Sequence, residues 1–395
     1  MRVHAIDGLR AIAMTMVVAQ HCGLMPFGWT GVWLFFVISG YVITQGFVSR
    51  AYQRGSLASS YWHFMGRRTI RIVPVYLLYL AVCAGVLVAI GEIGNFSDVP
   101  YLLSFSYNWH MLFQFWPKLA DFGPFGHLWT LSVEQQFYLV FGVFALALPA
   151  RAQLFASLAL IAAGPLVRWG WSSLWQAELQ TDPLRHAFFV YAATPCHIDA
   201  FLLGSLIARL EPQLRARPRA VTAGSILAVS LAALYAVVYV GINRGLGASG
   251  GQALRNVYSG ILYGQGREVF VYLAVDLLAA VALIHVLLGR VGSTWLAARP
   301  LAWVGRVSYG GYLFHALVLW LVARYVTGDA VKDLPIAQRV LAFAALWSVT
   351  VALASASFRW FELPLARRWS HSKPRVSEPS VDSLQQPAAL QNLRS

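Results

Sequence analysis

Eleven positions separate Arg10 from His21 in the first apolar stretch, IDGLRAIAMTMVVAQH. At 100° per residue that spacing returns to within about 20° of the same helix face, and Asp7 lies only about 40° from His21. A carboxylate, a guanidinium and an imidazole on one stripe can bind an anion, orient a base and move a proton. His21, mostly neutral near pH 7, is the candidate general base. Asp7 and Arg10, at i and i+3, also fit a plain ion pair at the helix end. A second stripe runs through HLWTLSVEQQFYLV, where His127, Glu134 and Tyr138 share a face. Counted from the apolar boundary, Glu134 falls at a depth similar to that of His21, so its carboxylate is expected to orient that imidazole. A third stripe, Ser308, Tyr312 and His315 in RVSYGGYLFHALVLW, fits either a polar lining or helix-packing hydrogen bonds beside Gly310 and Gly311. Arg68 and Arg71, in RRTIRIVPVY, offer guanidinium forks suited to phosphates, whether of a ligand or of lipid head groups.

The elements that must carry these residues are membrane spans. Of 395 residues, 58% are hydrophobic and 12% charged, against about 25% charged in an average soluble protein, and mean hydropathy is +0.60. This composition excludes a disordered chain, a disulfide scaffold, a coiled coil or a DNA-binding module over most of the length. Apolar stretches able to cross ~30 Å of hydrocarbon lie near 5–24, 31–49, 72–91, 128–148, 152–171, 190–208, 221–241, 269–289, 303–324 and 339–360. The expected fold is all-α, a polytopic bundle of about ten transmembrane helices; the short alternation of barrel strands is absent. Arg50, Arg54, Arg67 and the quartet Arg209, Arg215, Arg217 and Arg219 fall on one side of that arrangement, which places both termini in the cytoplasm. The net charge of +14 is then a topology signal, and nucleic acid is not an expected partner.

Asp7 and Arg10 interrupt the first stretch, which reads as a helix rather than a cleavable signal. Cys22, Cys83 and Cys196 show no CxxC spacing and no metal partners, so they are assigned to packing and no metal is expected. Asp199 and Asp276 also fall inside apolar stretches, with no partner evident in the sequence; Asp276 and His285 point to opposite faces. Residues 371–395, rich in Ser, Pro and Gln, read as a disordered cytoplasmic tail behind a membrane domain over 1–370.

The sequence resembles the acyltransferase-3 family of integral membrane O-acyltransferases. The likeness rests on Asp-Gly-Leu-Arg with Arg10 and His21, on GVWLFFVISGYVIT at 31–44, and on Arg68 with Arg71. LWTLSVEQQFYL at 128–139, SYGGYLFHALV at 308–318 and FRWFELPLARR at 358–368 complete it. One departure is Gln135, where the family often carries a second glutamate. The resemblance implies transfer of an acyl group, usually acetyl, from a cytoplasmic acyl-CoA to a hydroxyl of a cell-surface or exported carbohydrate or glycolipid. It implies His21 as the essential histidine, Arg10 as functionally important, and Arg68 and Arg71 as the acyl-CoA contact. The expected setting is a bacterial inner membrane, with no fused extracytoplasmic hydrolase-like domain. On this reading Glu134 orients His21, and Arg10 or the Ser39-Gly40 backbone stabilises developing negative charge. The competing reading, a transporter or flippase for a glycan or small molecule, would use the same intramembrane polar residues, but no inverted repeat supports it.

Overall fold

The computed structural model describes residues 4–92, 98–113, 123–179, 182–255, 257, 264–290 and 292–371. The tail proposed for 371–395 lies, beyond its first residue, outside the described residues. The helices are α1 (His4–His21), α2 (Thr30–Val48), α3 (Leu57–Ala89), α4 (Val99–Leu103), α5 (Tyr107–Phe113) and α6 (Trp129–Ala147). They continue as α7 (Ala150–Leu179), α8 (Pro183–Tyr191), α9 (Ile198–Ala216), α10 (Pro218–Gly245), α11 (Gly250–Arg255) and α12 (Arg267–Leu287). The last are α13 (Ser293–Leu296), α14 (Arg299–Arg306), α15 (Ser308–Val322), α16 (Ile336–Ser357) and α17 (Leu363–His371). No strand occurs among the described residues.

Eight of the ten apolar stretches each fall on one helix, while 190–208 straddles the break between α8 and α9 and 303–324 the break between α14 and α15. Seven are long and apolar enough to cross a membrane by themselves, and α8 with α9, bent by 65°, makes an eighth. The other two are α1, whose 18 residues include Asp7 and Arg10, and α15, which has only 15 residues before it widens into a π-helical turn at Ala323–Thr327. Both lie in the interior, where polar groups have protein partners, so neither needs a uniformly apolar surface. The outer faces show the reverse distribution. Leu166 on α7 and Val237 on α10 are 68% and 69% exposed, as expected of side chains that meet lipid tails rather than water.

Lipid tails are as apolar as leucine, so helices here associate through close backbone approach more than through apolar burial. At the α2–α9 crossing a Cβ on Gly40 would overlap the Phe201 carbonyl, and one on Gly204 would overlap the Val37 carbonyl. The same device holds α1 in place: Gly31 of α2 meets the Ala13 carbonyl, Gly305 of α14 meets the Asp7 carbonyl, and Gly311 of α15 meets the Met14 sulfur. These contacts fix direction. The start of α1 lies with α14, and the turn after its end, at Gly23, lies against Lys332, so α1 and α15 run parallel.

With 33 residues, α3 is about 50 Å long, some 20 Å more than the hydrocarbon thickness. Ser56 caps it, its side chain accepting from the Ser59 backbone N–H, and the excess length carries Arg67, Arg68 and Arg71 beyond the apolar run at 72–91. The buried aspartate at 199 finds its partner in Arg168 of α7. Arg168 is fully buried and donates to Asp199 Oδ2 (2.7 Å), the Val269 carbonyl (2.9 Å) and the Cys196 carbonyl (2.8 Å). Asp276, also fully buried, lies within electrostatic reach of both. The three cysteines are free and buried, as their assignment to packing requires.

Candidate active site

One cavity, with about 770 Å³ of empty space, collects residues from five helices. Arg10 comes from α1, Ser39 from α2, Arg68 and Arg71 from α3, Thr130, Glu134 and Tyr138 from α6, and Ser308, Tyr309 and Tyr312 from α15; Val32, Phe35, Phe36 and Ile38 supply apolar wall. Three guanidiniums face one carboxylate here, an excess of positive charge in a partly enclosed space that favours an anionic occupant.

Glu134 is held by two hydroxyls. Ser39 Oγ donates to Glu134 Oε1 (2.6 Å), and the Tyr138 hydroxyl, one turn along α6, donates to the same oxygen. Arg68 donates to the Tyr52 hydroxyl and lies over the Phe64 ring. Arg71 makes no hydrogen bond or ion pair with a described residue; its surroundings are the charges of Arg10, Arg68, Glu134 and Glu362. Its fork is the one left open to a ligand.

Above this cavity, toward the end of α1, lie three imidazoles. His21 is exposed, and its ring centroid is 5.3 Å from that of His315. His315 in turn is 5.1 Å from His127, edge-on. Tyr312 joins the two groups: it lines the cavity, its hydroxyl pairs with Thr130 Oγ1 (2.8 Å) and donates to the His127 carbonyl (3.2 Å), and its ring is 5.3 Å from His127 and 5.4 Å from His315.

Eight of the residues singled out from sequence therefore converge on the cavity: Arg10, Ser39, Arg68, Arg71, Glu134, Tyr138, Ser308 and Tyr312. His21 and His315 lie next to it. Asp7 does not line it; that residue is buried in the first turn of α1, under α14, where an acidic side chain suits the positive end of the helix dipole. The expected pairing of Glu134 with His21 is not what forms. Glu134 sits with Arg10, eleven residues and about 16 Å along α1 from His21, and the ring beside His21 is that of His315. The reason lies at the start of α6: the membrane-crossing segment begins at Gly123 with a 3-10 turn, five residues before the apolar boundary read from sequence, which carries Glu134 deeper. His21 is not among the residues that line the cavity; Tyr312 and Thr130, bonded to each other, are the lining residues beside the histidines.

His127, Thr130, Tyr309 and Arg168 received no role from sequence. His127 was visible as the member of the α6 stripe one turn before Thr130 and Leu131; the others are single polar residues in apolar segments with no periodic signal. Among the described residues there is no group of three His, Cys, Asp or Glu side chains that could hold a metal ion.

A helical membrane protein with an arginine-rich cavity beneath exposed histidine is the class these features define. The profile described as "Acyltransferase domain" matches residues 3–359, and the chain belongs to this acyltransferase-3 family. It is 28% identical over 385 residues to the peptidoglycan O-acetyltransferase OatA of Listeria monocytogenes, covering 92% of this chain and 56% of that protein. It is 27% identical over 389 residues to YrhL of Bacillus subtilis, whose own assignment as a peptidoglycan O-acetyltransferase is provisional, covering 92% of this chain and 55% of that protein. The chain thus spans a little more than half the length of these curated relatives. No solved structure matches it.

Proposed function

We propose that the protein is a multi-pass O-acyltransferase of a bacterial cytoplasmic membrane that moves an acyl group, acetyl by preference, from a cytoplasmic acyl-CoA to a hydroxyl of a cell-surface carbohydrate. Peptidoglycan, the substrate named for OatA, is the first acceptor to try. The observation that carries the reading is the convergence of Arg10, Arg68 and Arg71 in one cavity directly below an exposed histidine. Both termini face the cytoplasm in this arrangement, so the start of α1 and the arginines of α3 meet the donor, and His21 meets the acceptor outside.

The arginines suit the phosphates of the donor, which they bind as charge-assisted forks. Val32, Phe35, Phe36 and Ile38 suit its pantetheine arm. Glu134, fixed by Ser39 and Tyr138, limits the positive excess and keeps the guanidiniums from repelling one another apart. The acyl end reaches His21 past Tyr312 and Thr130, whose side chains must part to let it through. His21 then takes the proton of the acceptor hydroxyl as its oxygen bonds to the thioester carbon, and returns that proton to the sulfur as the C–S bond breaks. Neither group named for stabilising the developing charge reaches it at His21: Arg10 lies about 16 Å away along α1 and serves the donor phosphates with the other two guanidiniums. The Ser39-Gly40 backbone lies in the middle of α2, its N–H groups engaged within the helix, with Gly40 pressed against Phe201.

The test is purified protein in proteoliposomes supplied with acetyl-CoA inside and peptidoglycan fragments outside. Acceptor-dependent thioester cleavage that disappears in His21→Ala is the expected result. Movement of the fragments without cleavage would instead favour the transporter reading.

A further inference from the structure

The ring next to His21 belongs to another histidine, and its hydrogen bonding is determined by what it touches. His315 Nδ1 is 2.6 Å from the Tyr312 carbonyl oxygen. A carbonyl only accepts, so Nδ1 carries the proton and neutral His315 has its lone pair on Nε2. That Nε2 is buried and has no hydrogen-bond partner in the protein, in a side chain only 2% exposed. Leaving it unmade costs about 1–3 kcal/mol. Two rings flank it: His127 at 5.1 Å, whose ring N–H is directed at the Leu313 backbone, and the exposed His21 at 5.3 Å; two imidazoles joined by an N–H···N bond of roughly 3 Å place their centroids a little over 5 Å apart.

We propose that His315 is a positioning residue: when the exposed His21 ring turns toward it, His315 Nε2 accepts a hydrogen bond from one ring nitrogen of His21, which fixes the other nitrogen of His21 as the one that meets the acceptor hydroxyl. An imidazole thereby occupies the place that a carboxylate fills in many catalytic histidine pairs. The titratable and charged groups around the pair are consistent with this. Among the described residues they are His127, edge-on to His315, Tyr312 below it, Tyr79 beyond His127, Lys332 on the chain that packs against Gly23, within electrostatic reach of His21, and Arg339, which donates to the Gly23 carbonyl; none of these is a carboxylate. During transfer the hydroxyl proton passes to His21 and on to the departing sulfur, while His315 keeps its Nδ1 proton throughout.

The kinetic consequence rests on the acyl-transfer reading; the hydrogen bond does not. Both are tested with protein labelled with 15N-histidine in nanodiscs, comparing wild type, His315→Leu and His315→Gln, the last of which can place an amide oxygen near the position of Nε2. In wild type, NMR should show His315 as the Nδ1–H tautomer and His21 as one tautomer, and His315→Leu should leave His21 a mixture of both. In the acyl-transfer assay, His315→Leu should lower kcat about 10- to 100-fold, part of the roughly 10²–10⁴ that a positioned base supplies. Donor KM should stay within about twofold, and His315→Gln should recover most of the loss. The proposal is overturned if the His21 tautomer is the same in wild type and His315→Leu, or if His315→Gln is folded and as impaired as His315→Leu. A wild-type protein that transfers nothing would sink the acyl-transfer reading, and the tautomer result would still decide the hydrogen bond.

Discussion

Replacing Arg71 by alanine gives the cleanest measure of donor binding, because this guanidinium has no hydrogen bond or ion pair with a described residue to lose. Arg68 is a poorer choice: it also donates to Tyr52 and packs on Phe64, so its removal mixes binding with stability. A hydrogen bond between charged groups contributes about 1.5–3 kcal/mol, and each 1.4 kcal/mol is tenfold. Arg71→Ala should therefore raise the KM for acetyl-CoA roughly 10- to 150-fold while kcat changes little, the pattern of an interaction made equally in the ground and transition states. Arg71→Lys should fall between, since it keeps the charge and loses the fork. The assay is initial-rate transfer in proteoliposomes with two donors, acetyl-CoA and the phosphate-free thioester of acetyl-pantetheine. Wild type and variant should differ on the first donor and agree on the second. Equal losses on both donors, or a fall in kcat at constant KM, would refute the assignment of Arg71 to phosphate.

Two further substitutions probe the surroundings. Tyr312→Phe removes the bonds to Thr130 and the His127 carbonyl and should cost about 1–2 kcal/mol of stability, read as a lower Tm in detergent with the helical circular dichroism retained. Arg168→Leu leaves Asp199 and two carbonyls buried without their partner. A loss of about 3–5 kcal/mol should show as little monodisperse protein on size exclusion, whereas the double variant with Asp199→Asn should recover part of it.

The spans were legible because apolar length is a direct consequence of bilayer thickness; the breaks inside 190–208 and 303–324 were not, since each side of them is as apolar as an unbroken span. Helix-face arithmetic grouped Ser308 with Tyr312 and His315, and it grouped Glu134 with Tyr138, because a helical stripe is a property of spacing within one segment. Depth between segments was not legible. Glu134 was placed level with His21 by counting from an apolar boundary, yet the 3-10 turn at Gly123–Leu128 moves it toward Arg10. The partner of Asp199 was hidden for a similar reason: Arg168 is one charged residue in an apolar helix, and only the packing of α7 on α9 brings the two together. Cross-helix neighbours such as His315 against His21 depend on where glycines allow backbones to meet, as at Gly311 and Met14, and no periodicity within one segment encodes that.

A structure of the protein with a non-hydrolysable acetyl-CoA analogue bound is the most direct measurement of the account. It should place the phosphates against Arg68 and Arg71, the pantetheine arm past a displaced Tyr312 side chain, and the acyl group beside the His21 ring. A donor bound on another face of the bundle, or one whose acyl end stops below an unmoved Tyr312, would contradict it.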